Sequence, residues 1–357
     1  MAYDYAHTPA AMTPTLRLTT VLLFTQIFVP TLFGQAPPPA GEKAEILATR
    51  KIYDKAPHNA ASDIIRWQNL WYVAFRTADT NAGTEGQIQL LASFDTVNWS
   101  PVSVVFEKGV DLREPKLNVT KEDRLVLFSE GVTYNGAQLG SKQPRVTTST
   151  DGRNWVPPQK YLIGGEWMWR PIWQKEEGRF YGASYHTHPT TPGPKPEKEW
   201  AIKLHSSLDG KVWQLASPWQ LTGMPKEGAI ALKPDGSMIA VVGKEGGDRK
   251  GFFGTATSPY NAWTWQPLPV PLMGPNLIVL PDGRVIGASL GFGATPGAHV
   301  ILFELKDGVF TPLVELPSGG ECGHPGLAFH EDVLFVTYHS SHEEKKPVIY
   351  FSKVRLK

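Results

Sequence analysis

Charged side chains stand at the ends of apolar segments of this chain, where they could carry out acid–base chemistry. The apolar segment 71–75 is followed by Arg76 and then by Asp79, and Glu227 precedes the apolar run 229–232. Two carboxylates that face one pocket can protonate a leaving oxygen and act as base or nucleophile. These residues therefore favour hydrolysis of a glycosidic bond, provided that the fold brings them together.

Other polar residues stand at comparable positions, beside the ends of further apolar segments. Burying such groups is costly unless they pair with one another or bind a ligand. We therefore expect one polar pocket, with a purely structural network of paired charges as the alternative. The further candidates for this pocket are Asp63, His324, Arg113, Glu114, Lys116, Arg170, Lys244, Asn276, His186 and Tyr338.

A repeated pattern, Ser-x-Asp-x-x-x-Trp, indicates how these segments are arranged. Three copies end at Trp99, Trp155 and Trp213, and a degenerate fourth copy ends at Trp265, which gives steps of 56, 58 and 52 residues. Such a period is typical of a propeller built from four-stranded blades. The aspartate can accept hydrogen bonds from its own turn and the tryptophan can cover a crevice between blades, so the pattern predicts a structural role.

Apolar hairpins alternate with hairpins that carry this pattern through six rounds, and each round predicts a blade. The approximate bounds are 60–107, 111–164, 166–221, 226–271, 275–317 and 323–356. The last round supplies only three strands, whereas the N-terminal segment 44–53 is a strand without a partner. Pairing the two closes the ring and removes exposed sheet edges. The predicted fold is all-β, a six-bladed β-propeller of four-stranded antiparallel blades over residues 44–357.

The residues before the propeller have the composition of an export signal. Segment 18–36 is apolar and ends in a small-x-small cleavage site, and the proline-rich stretch 37–43 follows it. We expect residues 1–36 to be a secretory signal peptide and 37–43 a linker, with a secreted or periplasmic mature protein that has no membrane span. An uncleaved transmembrane anchor is the alternative. Met12 is a second candidate for the initiator, because the stretch before the apolar segment is long.

Composition excludes several classes of function. Lys plus Arg number 35 and Asp plus Glu number 34, so no global charge would attract nucleic acid or an anionic membrane. Cys322 is the only cysteine, which excludes an intrachain disulfide and zinc-spaced cysteines. A histidine metal site at His186 and His188, with His339 and His342 from a neighbouring blade, is disfavoured. Alternate residues of an extended loop diverge, and no tight carboxylate cluster flanks these histidines. We predict no cofactor and no metal, a carbohydrate partner, and a monomer.

The repeated pattern resembles the Asp-box of sialidase-type propellers, although each copy is one residue shorter between Asp and Trp than the commonest form. The resemblance covers about residues 58–356. The segment that ends in Arg76 is similar to the sialidase strand that precedes an acid/base aspartate, and Glu227 stands where a glutamate assists the sialidase nucleophile. The resemblance therefore implies that Asp79 and Glu227 are the central catalytic carboxylates, with Asp63 and Glu114 in reserve.

Several features of that family are missing. Sialidases hold the sialate carboxylate with three arginines, whereas here segment 61–63 lacks the first, Lys244 occupies the second position, and segment 291–300 offers no third. His324 stands in the place of the nucleophilic tyrosine, and Tyr338 lies too far along the chain to replace it. A neutral sugar, or a carboxylate held differently, therefore fits better than the usual substrate.

Together these patterns predict a glycoside hydrolase with a non-standard pocket. His324 is expected to act as a hydrogen-bond donor or base, while the other polar residues orient the substrate. These substrate-binding candidates are Arg76, Arg113, Glu114, Lys116, Arg170, Lys244, Asn276, His186 and Tyr338. Two alternatives remain, a non-catalytic glycan-binding propeller and an exo-sialidase with an altered site. A protein-interaction scaffold is disfavoured because the pocket residues are mostly polar.

Overall fold

The computed structural model describes residues 43–136, 138–186, 200–291 and 297–357. The predicted signal peptide, and the predicted linker except for Lys43, lie outside these residues, as do His188 and part of segment 291–300. No helix in these four ranges is long and apolar enough to cross a membrane.

Six four-stranded antiparallel sheets form the described part of the chain, and each is a blade. From the innermost strand outwards, the first three blades are β2 (His58–Trp67), β3 (Leu70–Ala78), β4 (Gln87–Ser93), β5 (Ser100–Val105); β6 (Asp111–Val119), β7 (Leu125–Asn135), β8 (Gln138–Ser149), β9 (Gln159–Lys160); and β10 (Glu166–Gln174), β11 (Arg179–His186), β12 (Ala201–Ser207), β13 (Gln214–Trp219). The other three are β14 (Pro225–Leu232), β15 (Met238–Lys244), β16 (Lys250–Ala256), β17 (Thr264–Pro271); β18 (Met273–Val279), β19 (Val285–Gly291), β20 (His299–Lys306), β21 (Val309–Glu315); and β22 (Gly323–His330), β23 (Val333–Ser340), β24 (Val348–Leu356), β1 (Ala44–Tyr53).

The six blades form a closed ring around one axis. The innermost strands contact their neighbours in turn, from β2 through β6, β10, β14, β18 and β22 back to β2. Strand β1 pairs antiparallel with β24, from Ala44 opposite Leu356 to Tyr53 opposite Ile349. The predicted six-bladed propeller, closed by an N-terminal strand in the last blade, is therefore confirmed.

Apolar side chains pack between the blades and hold the ring together. In β15 the five residues 238–242 are all buried, because both faces of this strand are covered by neighbouring sheets. Such a strand has a continuous apolar run instead of alternation. The largest apolar cluster joins the third, fourth and fifth blades and includes Trp169, Trp219 and Phe303.

The three Ser-x-Asp turns have the structural role predicted for them. Asp151 Oδ1 accepts hydrogen bonds from the N–H groups of Arg153 (2.9 Å) and Asn154 (2.7 Å), and Asp95 and Asp209 bind their own turns in the same way. Trp213 packs its ring against aromatic side chains of the second and third blades. The pattern thus fixes turns at the periphery and fills crevices between blades.

A second repeat is visible only in the backbone. Every innermost strand contains a β-bulge near its start, where two residues oppose one residue of the next strand. The first of the two always has a positive φ: Ala61 (53°), Glu114 (51°), Arg170 (26°), Glu227 (55°), Gly274 (61°) and His324 (48°). Because each bulge has the same position in its blade, these six residues form a ring around the axis.

Candidate active site on the propeller axis

A buried ion pair on the axis joins the first and third blades. Arg170 of the third blade donates through Nη1 to Asp63 Oδ1 of the first blade (2.9 Å) and through Nη2 to the carbonyl oxygen of Pro325 in the sixth (2.5 Å). Asp63 Oδ2 accepts a hydrogen bond from the Leu117 N–H (2.7 Å), and Asn276 Nδ2 also donates to Pro325 O (3.1 Å). These residues form a polar plug that links five of the six blades.

Glu114 lies beside this plug, surrounded by positive charge. Its carboxylate is 3.4 Å from Lys116 Nζ and 3.5 Å from His324 Nδ1. Burial alone would raise the pKa of Glu114, but the charges of His324, Lys116 and Arg113 outweigh it and lower the pKa to about 2. Burial and, to a smaller extent, repulsion from Arg170 lower the pKa of Lys116 to about 8. Glu114 is therefore an ionised carboxylate at neutral pH.

Asp111 holds two arginines at once. Arg76 contacts both of its oxygens, through Nε (2.6 Å) and Nη2 (3.0 Å), and Arg113 Nη1 is 2.9 Å from Oδ2. The Tyr134 hydroxyl donates to the same Oδ2 (3.1 Å). Arg113 Nη2 also donates to Asn81 Oδ1 (3.1 Å). The two guanidinium groups are therefore held in place by protein partners.

Three histidines extend this network towards the sixth blade. His58 lies between Arg76 (3.2 Å) and the Glu321 carboxylate (2.7 Å). His339 Nδ1 accepts a hydrogen bond from the Ala61 N–H (3.2 Å). Burial and, to a smaller extent, the charge of His324 lower the pKa of His339 to about 3. His339 is therefore neutral at physiological pH. Within the described residues, no group of three or more His, Cys, Asp or Glu side chains has the arrangement of a metal site.

A cavity of about 270 Å³ opens beside this network, and we call it the axial cavity. The sixth, first and second blades provide its lining. The lining residues are Ala60, Ala61, Arg76, Asn81, Arg113, Glu114, Glu321, Cys322, His324 and His339.

A second cavity of about 270 Å³ lies farther from the axis, between the first and second blades, and we call it the lateral cavity. It is lined by Ala56, Pro57, Thr77, Ala78, Asp79, Glu85, Gly86, Gln87, Phe106, Glu107 and Val110. The Arg76 to Asp111 pair lies against Gly86. A Cβ atom at this position would come within 2.6 Å of Arg76 Nε and closer still to Asp111, so only glycine fits here.

The structure brings together eight of the residues that the sequence indicated. Four of them line the axial cavity, namely Arg76, Arg113, Glu114 and His324. The other four form or adjoin the plug beneath it, namely Asp63, Lys116, Arg170 and Asn276. Glu227 lies at the bulge of the fourth blade, where Oε2 accepts a hydrogen bond from the Gly274 N–H (2.6 Å). It does not line the axial cavity.

The other predicted residues lie elsewhere. Asp79 is exposed and lines the lateral cavity. Lys244 pairs with Asp248 (2.8 Å), and Tyr338 is buried in the core, where its hydroxyl donates to the carbonyl oxygen of Pro317 (2.8 Å). His186 lies at the end of β11, opposite Glu166.

No protein-family model and no curated protein sequence matches the chain. Solved structures of similar fold include a protein of unknown function from Dyadobacter fermentans, with a TM-score of 0.77 and 17% identity over 88% of this chain and 100% of that one. The α-L-arabinanase of Penicillium chrysogenum, complexed with arabinobiose, has a TM-score of 0.64 and 16% identity over 87% of this chain and 99% of that one. The Trypanosoma rangeli sialidase, complexed with sialic acid, has a TM-score of 0.61 and 11% identity over 89% of this chain and 59% of that one.

The arabinanase and the sialidase are themselves six-bladed propellers. The chain shares this six-bladed fold with both. The predicted resemblance is thus confirmed for the architecture, and identities below 20% extend it no further.

Sequence reasoning missed three members of the axial network, namely His58, Asp111 and Glu321. Each lies at the first residue of an innermost strand or within two residues before it. The available signal was their position at the start of a predicted blade or two residues before it, because the strands enter the ring at that end.

Proposed function

We propose that the chain is a glycoside hydrolase that binds a neutral glycan in the axial cavity. The observation that carries the proposal is that charged side chains line this cavity although they are almost fully buried. Arg76 is 1% exposed, and Glu114 is 8% exposed. Burying such groups is costly, and their clustering around a cavity is characteristic of a site that binds a polar ligand.

The backbone around the axis supports the same proposal. Five of the six bulges place a residue other than glycine in the left-handed region, which costs of the order of 1 to 3 kcal/mol each. Strain of this kind persists mainly where a function depends on it. At Glu114 and His324 the bulge presents the side chain to the axial cavity.

The charge balance favours a neutral sugar. Arg76 and Arg113 oppose Glu114 and Glu321 among the lining residues, and both arginines already hold Asp111. A ligand carboxylate would therefore have to compete with a buried ion pair for either guanidinium. Because the similar arabinanase was solved with the neutral arabinobiose, arabinan oligosaccharides are the first substrates to test.

Glu114 is proposed as the base or nucleophile, because its lowered pKa keeps it ionised. Asp79 and Glu227, which the resemblance implies, remain proposed for the complementary acid role. His324, whose ring is 5.8 Å from that of Trp169, would orient the sugar.

The test is a panel of glycans that contains arabinan, xylan and cellulose oligosaccharides together with sialyllactose, with release of reducing sugar as the readout. We expect hydrolysis of a neutral member and about a hundredfold loss of rate in Glu114→Gln. Glu122→Gln, in the exposed turn at the other end of the same hairpin, is the matched control and should be unchanged. Unaltered rates in the Glu114, Glu227 and Asp79 variants would contradict the proposal, and cleavage of sialyllactose alone would favour the altered sialidase.

A glycan-binding propeller without catalysis is the second candidate, and one observation favours it. The pKa values of Glu114 and Glu321 are both lowered, by positive charges in one case and by the hydrogen bond with His58 in the other. A general acid needs a raised pKa. Saturable binding of an intact glycan, with no reducing end after long incubation, would establish this candidate.

We also propose that the mature protein is exported, on the basis of the apolar segment 18–36. Determination of the N-terminal residue of the protein recovered outside the cytoplasm would test the cleavage near residue 36.

A further inference from the structure

We infer that the lateral cavity is a second sugar-binding subsite, so that the ligand is a chain of at least two sugar residues. The inference rests on the proposed function, because it extends the ligand of the axial cavity. The proposed chain would cross segment 79–86, which separates the two cavities, and place its next residue against Phe106.

The same three parts of the chain line both cavities. Each cavity is lined by residues from three places. These are the start of β2 or the residues just before it, the end of β3, and the start of β6 or the residues just before it. Arg76 lines the axial cavity, and the next residue, Thr77, lines the lateral cavity. The two cavities therefore lie at the same end of the blades, and Gly86 of the lateral cavity lies against Arg76 of the axial cavity.

Segment 79–86 is tied down at several points between them. Arg76 Nη1 donates to the carbonyl oxygen of Thr80 (3.1 Å), and Arg113 binds the side chain of Asn81. The Leu112 N–H donates to the carbonyl oxygen of Gly86 (3.0 Å). Asn81 lines the axial cavity and Glu85 the lateral one, so the segment is a fixed partition over which an extended ligand can pass.

The lateral cavity has the chemistry of a neutral carbohydrate site. Phe106 is 67% exposed at the end of β5, and aromatic rings offer an apolar face for a sugar ring. Asp79 and Glu85 are exposed carboxylates that can accept hydrogen bonds from hydroxyl groups. No lysine or arginine lines the cavity among the described residues.

Two further observations point to a ligand. Thr77 lines the cavity and is 5% exposed, and its buried Oγ1 has no hydrogen-bond partner among the described residues. Glu107 is fixed by two contacts with Arg145 (2.6 and 3.1 Å), which makes one wall rigid. The volume of about 270 Å³ is close to the lower end of the range for small-molecule sites, roughly 300 Å³.

The test measures binding by titration calorimetry to the full chain carrying Glu114→Gln, so that hydrolysis does not interfere. The probes are arabinose and the linear arabino-oligosaccharides of two to five units, with the corresponding xylose series. We expect affinity to rise from the monosaccharide to the trisaccharide. Adding Phe106→Ala should lower the trisaccharide affinity about fivefold to tenfold and leave the monosaccharide affinity unchanged.

Phe94→Ala is the matched control. Phe94 is 78% exposed, but it lies in the first Ser-x-Asp turn, at the opposite end of β4 from Gln87. Removing it should change no affinity. The double substitution Asp79→Asn and Glu85→Gln, which alters no apolar contact, should also weaken only the longer ligands.

The possible failures can be told apart. Equal affinities for the monosaccharide and the oligosaccharides, or no effect of Phe106→Ala on the trisaccharide, would overturn the lateral subsite and leave the proposed function intact. Failure of every probe in both series to bind would overturn the subsite, and failure of the wild type to hydrolyse any neutral glycan of the panel as well would overturn the proposed function with it. A crystal structure with the trisaccharide provides an independent check, because sugar density confined to the axial cavity would also overturn the subsite.

Discussion

The periphery and the axis of this propeller use repetition in opposite ways. At the periphery, the Ser-x-Asp turns repeat the same residues, and Asp95, Asp151 and Asp209 each accept two backbone N–H groups of their own turn. On the axis the backbone bulge repeats six times, yet its six residues are alanine, glutamate, arginine, glutamate, glycine and histidine. Side chains are thus constant where they build the turn and varied where the backbone already has its shape.

The partners of the carboxylates differ accordingly. Asp151 is satisfied within a few residues of chain, so any blade can carry its own copy of the turn. Asp63 and Asp111 each bind an arginine of another blade, Arg170 and Arg76 respectively, so each depends on the closed ring. Damage to the axis should therefore affect the whole molecule, whereas damage to a turn should remain local.

The largest difference should follow from breaking the ion pair across the axis. Arg170→Leu leaves the buried carboxylate of Asp63 with only the Leu117 N–H, and unpaired buried charges cost about 3 to 5 kcal/mol. Urea denaturation should show this loss in the free energy of unfolding. Arg153→Leu, which removes an exposed arginine from the second Ser-x-Asp turn, should change it by less than about 0.5 kcal/mol. Equal effects would remove the distinction between axis and periphery.

The pH dependence of stability should reveal the charges around Glu114. Its folded pKa of about 2 lies below the ordinary 4.5, so its contribution is complete above pH 4.5 and is lost as the pH falls towards 2. We expect the stability difference between the wild type and Glu114→Gln to shrink by about 1 to 3 kcal/mol over that interval. A constant difference would show that Glu114 titrates normally in the folded protein.

The sequence predicted the ring more completely than the pocket. Tryptophan spacing and turn residues are local signals, and they placed all six blades and the closing strand because each blade is satisfied mainly by its neighbours. The pairs Arg170 to Asp63 and His58 to Glu321 join residues more than a hundred positions apart, so no local pattern reports them. The bulges share a backbone shape without a shared residue, which is why they could not be predicted.

The position of Asp79 also depends on contacts between residues that are distant in the sequence. The sequence placed Asp79 just after an apolar strand and assigned it to one common pocket, but it contains no sign of the partition that separates two cavities there. That partition depends on Gly86 lying against the Arg76 to Asp111 pair, a contact between strands of different blades.

A moderate and local effect should result from changing one Ser-x-Asp turn. Asp151→Ala removes hydrogen bonds to the N–H groups of Arg153 and Asn154 and to the Asn154 side chain, and we expect a loss of stability confined to this turn. Hydrogen exchange should show faster opening of the β8 to β9 hairpin without change at the axis. Global loss of protection would contradict the local character of these turns.

The smallest effect should separate backbone strain from contact with the site. Gly274 (φ 61°) belongs to the ring of bulges and Gly283 (φ 84°) to the turn at the other end of the same hairpin, so alanine at either position costs about 1 to 2 kcal/mol. At Gly274 the added Cβ would also lie 2.6 Å from His324 Cδ2, whereas at Gly283 no atom of the described residues lies within 4 Å of it. Gly274→Ala should therefore be up to about 1 kcal/mol less stable than Gly283→Ala and should alone weaken glycan binding, because His324 must move away from its place beside Glu114. Equal stability and equal affinity in the two variants would show that the ring of bulges tolerates side chains as freely as the turns do.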